Sequence, residues 1–475
     1  MKKRLIAMVL MAAMLLGVAA LSGCGGGGDN KNVTNAFVVP EAGFDMNSEV
    51  TITFTHTMGA KLQEVLNTYI AEFNKIYPNI TIEHVSAGGW GDINGQINTE
   101  IAGGNQPNIA YCYPDHVAMY NIAKSVVVLD NLIASDIAVG DTGEVIGLTK
   151  EQKDDFIESY YNEGLVYGDN QMYTMPLNKS TEVLYYNKTF FDEHGLTVPT
   201  TWDEMWDVCD KILKIDPNCF PLGYDAEDNW FITLCEQMKT GYTTAESDDH
   251  YLFNNAENKA FVKELRDKYQ KGYFTTQELY GGYTSSLFTT QDPDAAHSYM
   301  CVGSSGGASY QMSNSDTGDG TFAFEVGVAP IPQYDNSNRK VISQGPSLCI
   351  LKGAKTTDQQ ILASWLFVKF LCTNIDFQAE FSMTSGYMPV LKSVVENENY
   401  AAWLEKANGY EQLVATCVKT GIEGRDDYFV SPAFKGSSVA REQVGNLLIK
   451  CLTSKSDAEI DEAFEEAIDE CEYHN

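Results

Sequence analysis

The sequence between residues 50 and 85 has the pattern of a strand, a helix and a second strand. Val50–Thr55 alternates apolar side chains with threonine, as in a strand that has one face covered. Ile80–Val85 is strand-like as well. Between them, apolar residues recur at helical spacing and stop before Pro78: Leu62, Val65, Leu66, Tyr69, Ile70 and Phe73. Parallel strands need such a crossover helix, so this unit predicts an α/β fold, in which ligands sit beyond the carboxyl ends of the strands.

A second informative stretch, Met175–Glu204, combines a polar loop, a strand and the start of a helix. Glu182–Tyr186 is rich in valine, leucine and tyrosine, which indicates a buried strand. The polar loop Asn178–Thr181 leads directly into that strand, and Thr201-x-x-Glu204 is a capping box that opens a helix. This arrangement places hydroxyl and amide groups at a strand edge, where they could hold a small polar ligand.

The amino terminus has the pattern of a bacterial lipoprotein signal. Three basic residues precede the apolar run Leu5–Ala20, and Leu21-Ser22-Gly23-Cys24 resembles a lipobox. The resemblance implies cleavage before Cys24, lipidation of its thiol and attachment to the outer face of a membrane. Residues 1–23 would then be the signal peptide, and residues 24–48 the lipidated cysteine and a flexible tether. The alternative is an ordinary signal peptide that happens to contain a cysteine.

The charge balance excludes some classes of partner. The chain has 65 acidic and 32 basic residues, and removal of residues 1–23 leaves 29 basic residues and a formal charge of −36. So large an acidic excess argues against nucleic acid or anionic lipid as a partner, because both would be repelled. The sequence after the tether has no apolar run as long as a membrane span. At about 425 residues it is too long for one simple core, which predicts two lobes.

The sequence contains no motif that is typical of a metal-binding or cofactor-binding site. Ten cysteines remain besides Cys24, but none forms a C-x-x-C pair, and histidine is scarce. There is no phosphate-binding P-loop and no H-E-x-x-H motif. We therefore expect no metal and no cofactor. A secreted protein with so many thiols either forms disulfides or lives where oxygen is low, and the sequence leaves both possibilities open.

One motif raises the question of catalysis. Gly303-x-Ser305-x-Gly307 satisfies the pattern of a hydrolase nucleophile elbow and follows a predicted strand. The hydrolase order requires a later histidine, and the only one is His474, beside the carboxyl terminus. We therefore expect Ser304 and Ser305 to hydrogen-bond a ligand or to form a plain turn. Among 65 acidic residues, a carboxylate pair at glycosidase spacing is not evidence of catalysis. No catalytic residue is predicted.

The aromatic residues point to a ligand. A sugar presents apolar C–H patches and a rim of hydroxyls, so its receptor needs flat rings and fixed polar groups. Trp365 and Trp403 fall in helical runs and are expected in the core. Asp115 follows a predicted strand and is expected in the same groove as the rings. Four aromatic residues lie in predicted loops at strand or helix ends and are candidate ligand contacts: Trp90, Tyr113, Trp230 and Tyr387.

The run from Pro176 to Glu204, PLNKSTEVLYYNKTFFDEHGLTVPTTWDE, resembles the signature of the extracellular solute-binding proteins of ABC importers. It is most similar to family 1, whose members take sugars, oligosaccharides and glycerol-phosphate compounds. The resemblance implies the two-lobed fold of periplasmic binding proteins, type II, with a hinge and a cleft between the lobes. By resemblance, lobe one is 49–175 plus 330–373, and lobe two is 176–329 plus 374–475.

The resemblance also carries over particular residues. Ser180 and Thr181 match positions that hydrogen-bond ligand in the glycerol-phosphate branch, and Gly345 matches a position where the backbone approaches the ligand closely. That branch has an arginine for the phosphate where this chain has Ser437. Arg441 lies one helical turn later and could substitute. Because the chain is so acidic and has no evident anion clamp, a neutral carbohydrate is favoured over a phosphate ester.

The resulting hypothesis is a lipid-anchored solute receptor on the outer face of the cytoplasmic membrane. It would act as a monomer, capture a sugar or oligosaccharide in the cleft, and deliver it to the permease subunits of an ABC transporter. One alternative keeps this class of protein and changes the ligand to glycerol-3-phosphate or a related diester. Another changes the class to a surface glycoside hydrolase that uses a carboxylate pair.

Overall fold

The computed structural model describes residues 36–473, apart from 169, 291, 293 and 313–321. The expected signal peptide at residues 1–23 and the expected lipidation site Cys24 lie outside the described residues. Within them, the chain forms two β-sheets with separate hydrophobic cores, which we call lobe one and lobe two.

Lobe one contains a five-stranded sheet with the strand order β2-β1-β3-β11-β4. β1 runs parallel to β2 and β3, whereas β11 runs antiparallel to β3 and β4. The strand β11 therefore joins this sheet from a distant part of the chain. The strands are β1 (Val50–His56), β2 (Ile80–Ser86), β3 (Ile109–Cys112), β4 (Met175–Pro176) and β11 (Ser347–Ile350).

Lobe two contains a mixed sheet with the strand order β12-β10-β5-β8-β6-β7, and β9 also pairs with β5. The central strand β5 is antiparallel to its neighbours β8 and β10. The strands are β5 (Ser180–Asn187), β6 (Phe220–Tyr224), β7 (Phe274–Thr276), β8 (Ser298–Ser304), β9 (Val326–Pro330), β10 (Val341–Gln344) and β12 (Tyr428–Phe429).

Helices pack around both sheets. Those of the first half of the described chain are α1 (Ala60–Ile76), α2 (Trp90–Gly103), α3 (Pro114–Tyr120), α4 (Asp130–Ile133), α5 (Lys150–Asp155), α6 (Glu158–Asn162), α7 (Lys188–His194), α8 (Trp202–Ile215), α9 (Glu227–Met238), α10 (Ala256–Gln270), α11 (Gln277–Tyr280) and α12 (Ser285–Thr289). Those that follow are α13 (Asp358–Thr373), α14 (Ile375–Ser385), α15 (Lys392–Val395), α16 (Glu398–Lys406), α17 (Tyr410–Glu423), α18 (Ser437–Thr453) and α19 (Asp457–Tyr473). Short 3-10 helices span Asn121–Ala123, Glu163–Leu165, Ser305–Tyr310 and Arg425–Asp427.

The strand-helix-strand unit predicted at the start of the fold is confirmed as β1-α1-β2. The apolar face of α1 is buried through Val65, Leu66, Tyr69 and Phe73. The ring of Phe73 packs edge-on against Phe367 of α13, with the ring centroids 5.1 Å apart. The helical period of this segment thus identified the residues that hold α1 against the core of lobe one.

The predicted capping box is present as well. At the start of α8, the Thr201 hydroxyl accepts from the Glu204 amide, and the Glu204 carboxylate accepts from the Thr201 amide at 3.2 Å. At the start of α19, the Glu459 amide donates to the Ser456 hydroxyl. These bonds satisfy backbone N–H groups that a helix leaves unpaired at its first turn.

Segments that cross between the lobes form the hinge, and a third segment, which contains Met388 of lobe one, lies beside the first of them. Residues 177–179 lead from β4 in lobe one to β5 in lobe two, and residues 345–346 lead from β10 back to β11. The third segment pairs with the first, because the amides of Lys179 and Met388 each donate to the other's carbonyl, at 2.9 and 2.6 Å. The predicted entry into lobe two at Pro176–Thr181 agrees with the first crossing.

The structure corrects two of the expected lobe boundaries. The resemblance places residues 330–346 in lobe one, but β10 pairs with β5, and Ile331 and Ile342 lie in the core of lobe two. It places residues 374–475 in lobe two, but Phe377 and Tyr400 lie in the core of lobe one. Both errors have one cause: the boundaries were carried over by resemblance, whereas the core that a segment joins is decided by contacts between distant parts of the chain.

The expected tether at residues 24–48 is also corrected for its described part. Phe37 and Phe44 are buried in the core of lobe one, and Ala36 forms a β-bridge with Val128. The Asn131 side chain donates to the Phe37 carbonyl at 3.0 Å. Residues 36–48 are therefore packed on lobe one. The burial of two large aromatic side chains offsets the conformational entropy that is lost when the segment is ordered.

All ten cysteines of the described chain are free thiols, and all are buried. Within this part of the chain, cysteine serves as a small apolar side chain in the cores. No helix among the described residues is both long and apolar enough to cross a membrane.

Candidate functional site

Lobe one presents a stacked pair of aromatic rings at the carboxyl ends of its strands. Trp90 begins α2 and Tyr113 follows β3. Their ring centroids lie 4.1 Å apart, and their planes are 19° from parallel. Tyr111 stacks on the other side of Trp90 at 6.0 Å. Both Trp90 and Tyr113 are half-buried, so the structure brings two of the predicted aromatic contacts together at the mouth of lobe one.

Asp115 joins the two lobes. It lies in the first turn of α3, and its Oδ2 accepts a hydrogen bond of 2.7 Å from Nε of Arg441 on α18. α3 belongs to lobe one and α18 to lobe two, so this buried ion pair spans the cleft. Burial by itself raises the pKa of Asp115, but the charge and hydrogen bond of Arg441, together with those of His116, outweigh it, and the pKa of Asp115 is lowered.

Lobe two supplies the other partners of Arg441. Nη1 donates to Asp228 Oδ2 at 3.1 Å and to Asn229 Oδ1, and Nη2 approaches Ser431 Oγ at 3.4 Å. Asp228 and Asn229 lie in the first turns of α9. One guanidinium therefore faces two carboxylates, those of Asp115 and Asp228, and each of its three nitrogens has an acceptor.

A small cavity lies beside this ion pair. Its volume is about 20 Å³, which is the room that about one water molecule needs. The guanidinium lies 5.9 Å from the centre of the Tyr113 ring, within the range of a cation–π contact. Residues from both lobes line the cavity: Tyr113, Pro114, Asp115, Asn229, Ile342, Ser343, Gln344, Val430, Ser431 and Arg441.

Tyr387 contributes a further ring beside the hinge. It follows α14, and it packs directly against Gly306, since a Cβ built on Gly306 would lie 2.6 Å from the ring. Burial raises the pKa of Tyr387 to about 12, and the nearby hydroxyls of Tyr283 and Tyr310 add to the rise. Tyr387 also adds to the raised pKa of Tyr113. Tyr387 is thus near enough to Tyr113 of lobe one and to Tyr283 and Tyr310 of lobe two for each to affect the pKa of another.

Tyr283 and Tyr310 were missed by the sequence reasoning. Their side chains are 63% and 69% exposed. Burial nevertheless raises the pKa of Tyr283, with Asp225, Asp92 and Tyr310 as further causes. Asp92 belongs to lobe one, so its effect on the pKa indicates that Tyr283 lies on the side of lobe two that faces lobe one. A Cβ built on Gly59 of lobe one would lie 3.3 Å from the Tyr310 hydroxyl, which shows that Tyr310 reaches lobe one.

Two buried carboxyl groups lie behind this wall in lobe two. Glu182 on β5 accepts from the Tyr224 hydroxyl at 2.8 Å, and burial raises the pKa of Glu182 to about 8. Asp225 accepts from the amide and the hydroxyl of Thr284, both at 2.8 Å, and burial raises the pKa of Asp225 to about 6. Both carboxyl groups are engaged with residues of lobe two itself.

The serine and threonine side chains that were predicted to contact the ligand form hydrogen bonds within the protein. The Thr181 hydroxyl donates to the Ile342 carbonyl at 3.0 Å, and the Thr181 amide donates to Ser305 Oγ at 3.3 Å. Ser304 Oγ accepts from the Gly306 amide at 3.2 Å. Of these side chains only Ser304 is half-buried; Ser180, Thr181 and Ser305 are buried. In this conformation they tie β5 to its neighbours at the hinge.

Gly345 lies at the second crossing. Its φ is +99°, and a Cβ at this position would lie 2.6 Å from the Asn178 carbonyl oxygen and 2.8 Å from the Ser180 amide nitrogen. Glycine is needed here because the two crossing segments approach each other backbone to backbone. The close approach expected at Gly345 is therefore made to the chain's own hinge.

The expected loop position of Trp230 is wrong. Trp230 lies inside α9, is fully buried, and stacks on Tyr224 with the ring centroids 4.2 Å apart. Phe274 meets it edge-on at 5.0 Å. The structure therefore places Trp230 in the core of lobe two. Trp365, expected in the core, is fully buried in lobe one.

Comparison with known proteins identifies the class. The family described as bacterial extracellular solute-binding protein matches residues 68–408, which is more than half of the chain. The chain belongs to this family. Together with the two sheets, the hinge and the cleft described above, the match confirms the expected two-lobed periplasmic-binding-protein fold.

Relatives and solved structures agree with this assignment. The chain is 23% identical over 397 residues to the sn-glycerol-3-phosphate-binding periplasmic protein UgpB of Pectobacterium atrosepticum. This alignment covers 79% of this chain and 80% of that protein. UgpB from Mycobacterium tuberculosis in complex with glycerophosphocholine superposes with a TM-score of 0.69 at 17% identity, covering 89% of this chain and 98% of that one. An ABC substrate-binding protein from Listeria monocytogenes in complex with cycloalternan gives 0.69 at 16% identity, covering 90% and 99%.

Proposed function

We propose that this protein is the solute receptor of an ABC importer and that its ligand is a neutral sugar or oligosaccharide. The observation that carries the proposal is the set of rings on both sides of the cleft: Trp90 and Tyr113 from lobe one, and Tyr283 and Tyr310 from lobe two, with Tyr387 between them. Flat rings and a polar rim suit the C–H patches and hydroxyls of a sugar.

The carboxyl and hydroxyl groups near these rings would serve as the polar rim. Asp92 and Asp225 lie near enough to Tyr283 to raise its pKa, and Ser304 is half-buried at the end of β8. Sugar hydroxyls donate hydrogen bonds to such acceptors. The relative from Listeria monocytogenes, solved with cycloalternan, supports an oligosaccharide as the class of ligand.

The mechanism in this proposal is hinge closure. A ligand held by rings of both lobes stabilises the closed arrangement by the contacts that it makes only there. The closed form would then dock on the permease subunits. Cys24, at the end of the lipobox-like run, would carry the lipid that holds the receptor at the outer face of the membrane.

A second candidate ligand is glycerol-3-phosphate or a related diester. The relatives named UgpB favour it, and Arg441 lies in the cleft where an anion could be held. Against it, Arg441 is already paired with Asp115 and Asp228. We therefore rank the neutral carbohydrate first.

A thermal-shift screen separates these ligands. Binding to the native state alone raises the melting temperature, so the true class should give a rise of several degrees at saturating concentration. The panel should hold neutral mono- and oligosaccharides beside glycerol-3-phosphate and glycerophosphocholine. A reducing-sugar assay with each hit checks for turnover. Accumulation of product would contradict a receptor, and a rise with phosphate esters alone would contradict the neutral ligand.

Substitutions in the rings test the site itself. Trp90→Ala and Tyr283→Ala should each weaken the affinity for the hit about tenfold, since a stacked ring contributes on the order of 1 kcal/mol beyond its buried area. Tyr334→Ala is the matched control, because Tyr334 is an exposed tyrosine in the loop after β9. Unchanged affinity in both ring variants by calorimetry would contradict the placement of the site.

A further inference from the structure

Arg441 is the one basic residue among the described residues that line the interlobe cavity. Its guanidinium is the chemical group that best recognises phosphate or carboxylate, because two adjacent N–H groups match two oxygens of the anion. Whether this cleft accepts an anion therefore depends on whether those N–H groups are free.

Most of them are occupied by the protein. Nε donates to Asp115 at 2.7 Å, Nη1 to Asp228 at 3.1 Å, and Nη2 lies 3.4 Å from the Ser431 hydroxyl. The side chain of Asp115 is only 3% exposed, so its carboxylate is held against the guanidinium away from water. A phosphate oxygen would have to displace this carboxylate to reach Nε.

The pair depends on how the two lobes are placed. Asp115 comes from α3 of lobe one, and Arg441 comes from α18 of lobe two. In this arrangement, the carboxylate of Asp115 occupies the position beside the Arg441 guanidinium that an anionic ligand would need. With Asp228 beside it, the cluster of three charges has a net charge of −1, which repels an anion at short range.

We propose that Asp115 is a specificity-determining residue: its carboxylate caps Arg441 and thereby excludes phosphate esters and other anions from the cleft. The inference rests on the proposed receptor function. Discrimination of this kind comes from a repulsive group built against the wrong ligand as much as from contacts to the right one.

The test is a gain of binding. The affinity for sn-glycerol 3-phosphate is measured by calorimetry in the unmodified protein, in Asp115→Asn, in Asp228→Asn and in the double variant. Asparagine keeps the size of the side chain and removes its charge. The unmodified protein should show no binding of sn-glycerol 3-phosphate. The double variant should bind it with a dissociation constant at least about tenfold below the weakest that calorimetry detects, because hydrogen bonds between oppositely charged groups are stronger than those between neutral groups. This affinity should fall as salt is raised.

Controls assign the gain to Arg441. Adding Arg441→Met to the double variant should abolish the new affinity. Asp207→Asn removes one negative charge from the exposed face of α8, and it should give no gain. Thermal melts show that each variant is folded, and Asp115→Ser repeats the test if Asp115→Asn does not fold.

Two results would overturn the inference. One is binding of sn-glycerol 3-phosphate by the unmodified protein that is lost in Arg441→Met. The other is a folded double variant with no gain in affinity. Failure of the receptor proposal is a separate outcome, because it would appear as the absence of any neutral ligand for the unmodified protein and would leave the gain in the double variant readable.

Discussion

Lys179 and Glu163 form a buried ion pair at the hinge. Lys179 lies on the first crossing segment, Glu163 lies in a 3-10 helix of lobe one, and their side chains are 1% and 5% exposed. Glu163 also accepts from the Ser343 hydroxyl of β10 at 2.6 Å. One carboxylate thus joins lobe one to both of the segments that lead into lobe two.

The first prediction concerns the loss of the lysine charge. Lys179→Met leaves the Glu163 carboxylate buried without its cation, so the free energy of unfolding should fall by roughly 3–5 kcal/mol. The double variant Lys179→Met/Glu163→Gln removes both charges and should recover part of the loss. Chemical denaturation measures both values.

The control for this prediction is Lys75→Met, because Lys75 forms an exposed pair with Glu72. Exposed pairs contribute about 0–1 kcal/mol, so the control should melt close to the unmodified protein. A double variant that is less stable than Lys179→Met alone would contradict the uncompensated charge as the cause.

The second prediction concerns Gly345. Gly345→Ala forces a left-handed φ on alanine, at a cost of roughly 1–2 kcal/mol, and pushes a Cβ into the backbone of Asn178 and Ser180. Gly272 has a φ of +76° and nothing near its Cβ position, so Gly272→Ala measures the first cost alone. Gly345→Ala should therefore be the more destabilised variant, by about 1–3 kcal/mol in denaturant. Equal losses would mean that the crossing segments can separate freely.

The third prediction concerns pH. Burial raises the pKa of Glu182 from 4.5 to about 8, so the folded protein keeps the proton while the unfolded chain releases it. The contribution of Glu182 to stability is therefore complete below pH 4.5 and is lost as pH rises toward 8. Glu182→Gln mimics the protonated form and removes this dependence.

At pH 4.5, Glu182→Gln and the unmodified protein should have nearly the same free energy of unfolding. Above that pH the value for Glu182→Gln should exceed the value for the unmodified protein, and the difference should grow by up to about 1.4 kcal/mol per pH unit up to pH 8. Thermal or denaturant unfolding at pH 5 and pH 8.5 measures the difference. Glu193→Gln, on the exposed face of α7, should show no such growth. A pH-independent difference for Glu182→Gln would contradict a buried, protonated carboxyl group.

The fourth prediction separates core from site. Trp230→Phe should lower the free energy of unfolding by roughly 1–3 kcal/mol through lost packing against Tyr224 and Phe274. Its Nε1 has no hydrogen-bond partner in the described structure, so no bond is broken. Ligand affinity should stay within about twofold, in contrast to Tyr283→Ala. If Trp230→Phe lost as much ligand affinity as Tyr283→Ala, the assignment of Trp230 to the core would be contradicted, and Trp230 would belong to the binding site.

Local patterns predicted much of the fold. The β1-α1-β2 unit and the capping box of Thr201 and Glu204 involve residues near one another in sequence, so local pattern predicts them. The start of α9 shows the opposite case. Its N-cap is Ala226 with a φ of +61°, and no side chain caps the helix that contains Trp230. Without a capping residue, the sequence predicts a loop at Trp230 although the helix has already begun.

The candidate site was harder to predict because it is assembled from distant segments. Trp90, Tyr113 and Asp115 follow strands of one α/β sheet, and the rule about the carboxyl ends of strands found them. Tyr283 and Tyr310 follow short elements whose only link to Tyr387 is spatial. A tyrosine beside glycines, as in Gly281-Gly282-Tyr283, is the one local signal, and many surface turns share it.

The packing of residues 36–48 attaches the amino-terminal end of the described chain to lobe one. Whatever precedes Ala36 in the chain is joined to lobe one, because Phe37 and Phe44 are inserted in its core. A lipid attached at Cys24 would therefore load lobe one alone. Rotation of lobe two about the hinge would then leave the anchored end of the chain in place. The receptor could open and close at the membrane surface without moving its point of attachment.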